Sequence, residues 1–468
     1  MIDYLNNLFH NTLCMNEKIR QIQENPFKSL LILSIPIILL LFFNETYTIL
    51  DTYFLSRLGN DVVIAFGYIA NLYYFFNRSG KGLGRGVSSM IARLIGAEDF
   101  ENINNIVLHG ILLIIISTIL CQIIFALFAG DILKLFVGAE QIHYVYIYLE
   151  CLFTFVIFIF LSEYLVELLN AEGDTRLSTT IMTLGVVLNT VLDYIFIIQC
   201  NLGILGGSLG TVLAYVITTL IFLYIYLVRK DHVVEFKFRD FKFDAKIIYE
   251  ILVNAVPIIL DSLLVTLTGL LLITQLKNFA PSVTVVAFII IIRIQMFLLT
   301  PIQGLSRSCN IIVGHLFGAR RYKDVIKQLH NSILVSFLMN VVISLIFILF
   351  LNFILAYFTK DINVISEVRN ILYIVILELF AFSMIFNCNQ SLVAVGRSPN
   401  SFYSVCIKFL SNFVLIFVLC NALKFGKDGV LISLICADLI QSAYSYGIFR
   451  FFISKNIKKY EEDLESHA

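Results

Sequence analysis

Runs of some twenty apolar residues, each closed by a short cluster of polar residues, Gly, Pro, Asn or Asp, recur from one end of the chain to the other. They fall near residues 28–55, 62–85, 103–128, 142–168, 176–199 and 204–228, then near 248–273, 284–308, 326–350, 364–390, 401–422 and 428–452. At 1.5 Å of rise per residue, ~20 residues cross the hydrocarbon of a bilayer. The pattern predicts an all-α polytopic membrane protein with twelve transmembrane helices, six plus six. The segment RKDHVVEFKFRDFKFDAK, residues 229–246, is the longest strongly charged internal stretch and divides the two sets. The expected organisation is a cytoplasmic N-terminal segment (1–24), an N-lobe (25–228), a charged cytoplasmic linker (229–246), a C-lobe (247–454) and a cytoplasmic tail (455–468).

Composition narrows the class. Of 468 residues, 59% are hydrophobic and 14% charged, with a mean hydropathy of +0.89, which no soluble domain of this length carries. The net charge is zero, so nothing in the overall balance favours nucleic acid as a partner. Location of charge says more. About twenty Lys and Arg fall in the tails and the loops after even-numbered spans, against about seven in the other loops, which places both termini in the cytoplasm by the positive-inside rule. The first 25 residues mix Asn, Glu, Lys, Arg and Gln without the apolar core of a cleavable signal, and read as a short amphipathic cytoplasmic helix. None of the nine cysteines forms a CxxC pair, and most lie in apolar runs as small hydrophobes, so no metal or disulfide framework is expected.

The halves resemble each other. Gly82, Leu83, Arg85, Leu94, Gly96 and Ala97 line up with Gly304, Leu305, Arg307, Leu316, Gly318 and Ala319, Pro36 with Pro257, and His109 with His330. A constant offset of ~221 residues over several helices marks an internal repeat. Because each half has an even number of spans, the two copies share one orientation and are related by a pseudo-two-fold axis along the membrane normal, the plan of two-lobed secondary transporters with a cleft between the lobes.

Charges inside the spans are the candidate chemistry, since each costs at least ~2.5 kcal/mol at mid-membrane by insertion scales and is retained for a function or a partner. With straight helices, Asp193 lies ~25 Å along the fifth span, Asp51 ~35 Å along the first, and Thr211 ~10 Å from the outer end of the sixth. Asn189 precedes Asp193 by one turn on the same face. All four fall in the outer half of one lobe. Two carboxylates, an amide and a hydroxyl offer oxygen ligands for Na⁺, and two close carboxylates can share a proton. The competing reading is structural: Asp51 and Asp193 pair with bases or cap broken helices.

The motifs YTILDTYFLSRLG, GLGRGVSSMIARLIGA, LNAEGDTR, LNTVLDYIFI, GGSLGTVLAY and GHLFGARR, in this order and spacing, resemble the multidrug and toxic compound extrusion (MATE) transporters, in particular the archaeal and bacterial branch with acidic residues in the N-lobe. The resemblance implies an antiporter that exports a drug or metabolite in exchange for inward H⁺ or Na⁺ by alternating access. It places the cation site at Asp51, Asn189, Asp193 and Thr211, a neighbouring cavity residue at Tyr47, and the bend of the first helix at Pro36, where a proline removes one backbone hydrogen bond. The implied coupling ion is H⁺ or Na⁺, bound transiently, with no other cofactor and no structural metal. The implied partners are a small-molecule substrate and the lipid bilayer, with no nucleic acid, and the protein is a monomer in the plasma membrane.

The chain departs from that family in its second span, where Arg78, Lys81 and Arg85 share roughly one face. Glu163 and Glu167, one turn apart in the fourth span, lie at the depth of Lys81 and Arg85. These charges form either an interhelical ion-pair ladder or a basic cavity wall that selects an anionic substrate, and the second option makes a flippase for a lipid-linked or anionic amphiphile the alternative function. The second lobe carries Asp261, Arg293, Arg307, Glu378 and Asp438; by depth, Arg293 is expected to meet Asp438, Asp261 and Glu378 lie near the midplane, and Arg307 snorkels. Leu272 aligns with Asp51 and Ile416 with Asp193, so the acidic site is expected in one lobe only. His109 and His330 read as polar caps, and GKGLGRG as a helix-packing series rather than a phosphate loop. No HExxH, GxSxG or DDxxD-type motif supports an enzyme.

Overall fold

A computed structural model describes the backbone of residues 15–228, 232–234, 236–358 and 361–467. Residues 1–14 of the expected N-terminal segment and the side chain of Tyr47 lie outside the described residues. The described chain is helical: α1 (Met15–Glu24), α2 (Pro26–Ser56), α3 (Asn60–Gly96), α4 (Ile103–Phe136), α5 (Ile142–Thr154), α6 (Val156–Ala171), α7 (Thr175–Asp193), α8 (Gly203–Val228), α9 (Ala245–Phe279), α10 (Ser282–Gly318), α11 (Tyr322–Phe358), α12 (Ile362–Ala394), α13 (Ser398–Ile416) and α14 (Gly426–His467).

Each expected span finds its helix, with one broken. The fourth is the pair α5 and α6, bent by 60°. Ten helices among the described residues are long and apolar enough to cross a membrane, or eleven if that pair is one span. The second expected span, α3, has the length at 37 residues, but Arg78, Lys81 and Arg85 interrupt its apolar character. The two most apolar helices are among the least buried: α4 and α11 have mean hydropathies of 2.9 and 2.8 over windows of which only 17% and 22% is buried. Leu127, Leu349 and Phe353 stand 68%, 77% and 79% exposed. In water that arrangement would be prohibitive; against lipid tails it is what the hydrophobic effect selects. The protein is a multi-pass membrane protein.

The chain divides into two compact units. The first comprises residues 1–29 and 39–256, the second residues 30–38 and 257–468. Pro36 lies inside α2, in the short stretch of that helix grouped with the second unit, and Pro257 opens the second unit inside α9. The first unit is built on Phe160, Tyr164 and Phe222, the second on Phe288, Phe347 and Leu355, all buried. Residues 232–234 and 236–246 strap along the first unit. Glu172 accepts from the Val234 amide (2.7 Å) and pairs with His232 (2.9 Å), while Asn104 and Asn105 accept from the amides of Lys237 and Lys242. His109 Nε2 accepts from the Asp244 amide (2.9 Å) and Nδ1 meets the Asn105 carbonyl (2.7 Å), a pairing that fixes the proton on Nδ1. His109 is a satisfied cap.

The repeat is visible in the backbone. Glu98 and Arg320, Gly173 and Gly396, Asn201 and Lys424, and Gly203 and Gly426 all adopt left-handed φ, each pair ~222 residues apart. Such residues stop one helix and aim the next. In both units a π-helical turn, Tyr194–Gln199 or Phe417–Ala422, extends α7 or α13 and leads into a helix that starts on glycine. Gly206 of α8 packs against the first π turn so tightly that an added Cβ would lie 2.8 Å from the Phe196 carbonyl carbon, a backbone atom with nowhere to go. Gly206→Ala is therefore expected to cost ~1–3 kcal/mol by overpacking. Thermal unfolding in detergent, followed by circular dichroism, should show a lowered midpoint for Gly206→Ala and an unchanged one for Gly130→Ala, where a Cβ meets open space.

Candidate functional site

The residues singled out in the first unit come from three helices. α2 carries Asp51 at 3% exposure. α7 ends at Asp193, fully buried, with Asn189 one turn earlier at 5%. α8 carries Thr211 close to its glycine-rich start, and Gly210 beside it leaves room for the Asp193 carboxylate, whose Oδ1 a Cβ at 210 would overlap. The structure brings Asn189 and Thr211 together, Asn189 Nδ2 donating to Thr211 Oγ1 (3.3 Å), and Thr211 Oγ1 donates to the Gly207 carbonyl (3.0 Å). Asp51 and Asp193 lie close enough for the charge of one to act on the other, so the two carboxylates repel each other when both are ionised. Neither oxygen of Asp193, nor Oδ1 of Asn189, meets a hydrogen-bond donor among the described residues. Three oxygens turned inward without a protein donor form an electron-rich cluster that a small cation or a proton would complete.

Tyr148 belongs to this cluster and was not expected there. Its hydroxyl meets Thr211 Oγ1 (3.4 Å), and both carboxylates act on it electrostatically. It sits among aromatic residues of α5, at no spacing that separates it from core tyrosines.

Two charges of α3, Lys81 and Arg85, are paired across to α6. Lys81 Nζ lies 3.2 Å from Glu163 Oε1, and Arg85 Nε 3.4 Å from Glu167 Oε1. The glycines of GKGLGRG explain how. A Cβ at Gly80 would lie 3.0 Å from Phe160 Cα, and one at Gly84 3.2 Å from Tyr164 Cα, so α3 and α6 touch backbone to backbone and the intervening Lys81 and Arg85 reach the facing glutamates. Arg78 is half-buried on the same helix.

In the second unit Asp438 pairs with Lys408 of α13, not with Arg293, which is exposed. Depth along a straight helix fixes height but not azimuth, and Arg293 points away. Glu378, 5% exposed, accepts from Gln295 Nε2 (2.8 Å) and feels both Asp438 and Lys408. Asp261 and Arg307 are half-buried. Leu272 and Ile416, the counterparts of Asp51 and Asp193, are buried apolar side chains, 4% and 3% exposed.

A two-unit helical membrane protein with an internal repeat and an acidic cluster in one unit has the form of a secondary transporter. The sequence model of the MatE family matches residues 36–195 and again 257–418, two copies set apart by the spacing of the repeat. The chain belongs to the MatE family. It is 26% identical over 432 residues to the multidrug export protein MepA of Staphylococcus aureus strain NCTC 8325, covering 90% of this chain and 93% of that protein. To MepA of Staphylococcus saprophyticus it is 26% identical over 426 residues, covering 89% and 92%. Its fold superposes on a crystal structure of a MATE transporter in the bent conformation with a TM-score of 0.89 at 23% identity, covering 94% of this chain and 98% of the other.

The Lys81–Glu163 pair predicts a particular mutational pattern. Lys81→Met leaves Glu163 buried at 4% side-chain exposure without its counter-charge and is expected to cost ~2 kcal/mol, below the ~3–5 of a fully buried pair because Lys81 is 27% exposed. Lys81→Met combined with Glu163→Gln should recover most of that loss in the unfolding midpoint. Equal midpoints for the wild type and the single variant would show the pair to be energetically idle.

Proposed function

We propose that the protein is a cation-coupled exporter of small molecules, exchanging a drug or metabolite for inward H⁺ or Na⁺ by alternating access. The observation that carries this reading is the cluster of Asp51, Asn189, Asp193 and Thr211, in which oxygens of Asp193 and Asn189 meet no protein donor among the described residues. A site of that kind is costly in an apolar bundle unless a mobile positive charge visits it. Coupling follows if the two conformations of the first unit differ in how closely Asp51 approaches Asp193. The state that presses the carboxylates together binds the ion more tightly, and ion binding then shifts the conformational equilibrium by that difference in affinity. The MepA relatives, described as multidrug export proteins, support efflux as the direction and drugs as the cargo class. The plasma membrane with both termini in the cytoplasm fits the distribution of basic residues in the loops. The alternative of a flippase for an anionic amphiphile loses its footing, since Lys81 and Arg85 spend their charge on Glu163 and Glu167.

The test is transport by the purified protein in liposomes under separately imposed pH and Na⁺ gradients, with cationic dyes and with anionic compounds as cargo. Gradient-driven export of at least one cationic dye is expected. Asp51→Asn together with Asp193→Asn should abolish it while the protein remains folded in the membrane. Export undiminished in that double variant rejects the assignment.

A further inference from the structure

The strap along the first unit spends its backbone on the protein and turns its side chains outward. Asn104 of α4 holds both backbone groups of Lys237, donating to the carbonyl (3.1 Å) and accepting from the amide (2.9 Å). Asn105 accepts from the Lys242 amide (3.2 Å) and His109 from the Asp244 amide (2.9 Å). Val234 is buried, and the Phe236 ring centre lies 5.1 Å from that of Tyr226. From Lys237 to Lys246 every residue is exposed. Three phenyl rings crowd into that short stretch: Phe238, Phe241 and Phe243 are 65%, 36% and 66% exposed. Arg239 and Lys242 lie between them and Lys246 follows, and the side chain of none of the three pairs with a carboxylate among the described residues.

The helix that holds the strap also sets its depth. The apolar span of α4, Ile103–Asp131, has 29 residues and is ~43 Å long at 1.5 Å per residue, the thickness of the hydrocarbon together with both headgroup layers. Asn104, Asn105 and His109 fall within its first ~10 Å, so the strap they hold lies in a headgroup layer. Phe241 and Phe243, with rings 4.9 and 5.9 Å from the His109 ring, are set deepest along that helix, nearest the acyl chains. Three neighbouring phenyl rings are a poor surface to offer water, and a good one to offer the boundary between headgroups and acyl chains. Charge selects the lipid. Residues 236–246 carry four basic side chains against two acidic ones, Asp240 and Asp244, and Asp244 Oδ1 is engaged with the Lys246 amide (2.8 Å). We propose that residues 238–246 are a binding surface for anionic phospholipids, the phenyl rings entering the acyl boundary while Arg239, Lys242 and Lys246 hold the headgroup phosphates. The surface is independent of the coupling site and of what the protein exports.

The chain has no tryptophan, so Phe243→Trp installs a single indole on this surface. The full-length variant is placed in vesicles of phosphatidylcholine and phosphatidylglycerol in which one lipid or the other carries brominated acyl chains, and quenching of the indole gives the relative affinity of the surface for the two. Phosphatidylglycerol is expected to be preferred at least about fivefold. Arg239→Gln, Lys242→Gln and Lys246→Gln together should bring that ratio to about one. Leu349→Trp, which puts the indole on the most exposed part of α11, supplies the reference: its ratio should be about one with the basic residues present or replaced. Should Phe243→Trp fail to fold, Phe238→Trp reports on the same surface. Absence of quenching by either lipid overturns the proposal, since the strap then lies outside the bilayer interface. Equal quenching by both lipids, or a preference that survives the three glutamines, overturns it as well. None of these outcomes touches the transport test above, which reads Asp51 and Asp193.

Discussion

The scarcity of water around the helices is the constraint on which this molecule turns. In an apolar bundle a charge must find its partner within the protein, and the protein brings helices together so that it can. Gly80 and Gly84 remove the side chains that would hold α3 away from α6, and the contact so gained is what lets Lys81 and Arg85 reach Glu163 and Glu167. Lys408 does the same for Asp438 in the second unit, with its ammonium also lying 4.9 Å from the Phe382 ring centre. Against that background Asp193 stands out, a buried carboxylate whose neighbours are an amide, a hydroxyl and another carboxylate.

The two units share a scaffold and divide the chemistry. Left-handed residues, π turns and helix-opening glycines recur in both, so the geometry that places a residue at the end of α7 also places one at the end of α13. At that place the first unit has Asp193 and the second Ile416; opposite, the first has Asp51 and the second Leu272. Several polar groups in the second unit are instead tied to each other. Asn387 Nδ2 donates to Ser336 Oγ (2.8 Å), Asn340 Nδ2 to Ser383 Oγ (2.6 Å), and Gln295 holds Glu378. Side chains bonded in that way stiffen the contact between α11 and α12.

What was legible in the sequence follows from which physical signals are one-dimensional. Apolar length, the charged linker and the repeat are properties of the string, and the helices lie where those signals put them. Height in the membrane is nearly one-dimensional too, which is why Lys81 could be matched in depth with Glu163. Azimuth is not: Arg293 and Asp438 were matched by height alone, and Lys408 on a third helix took the partner. Tyr148 was invisible for another reason. With 22 tyrosines and 42 phenylalanines in the chain, an aromatic ring carries no signal until its hydroxyl is seen to meet something.

The π turn after Asp193 invites a functional explanation, since such turns are frequent at functional sites. The repeat argues otherwise. An equivalent turn follows Ile416, where no carboxylate is present, and in both units a glycine of the next helix packs beneath it, Gly206 under Phe196 and Gly429 under Leu419. The turn therefore serves the chain reversal between two tightly packed helices, a need both units share. Asp193 occupies a position the fold supplies for its own reasons, already buried and already facing the next helix, and a single residue type at that position separates a packing contact from an acidic pocket.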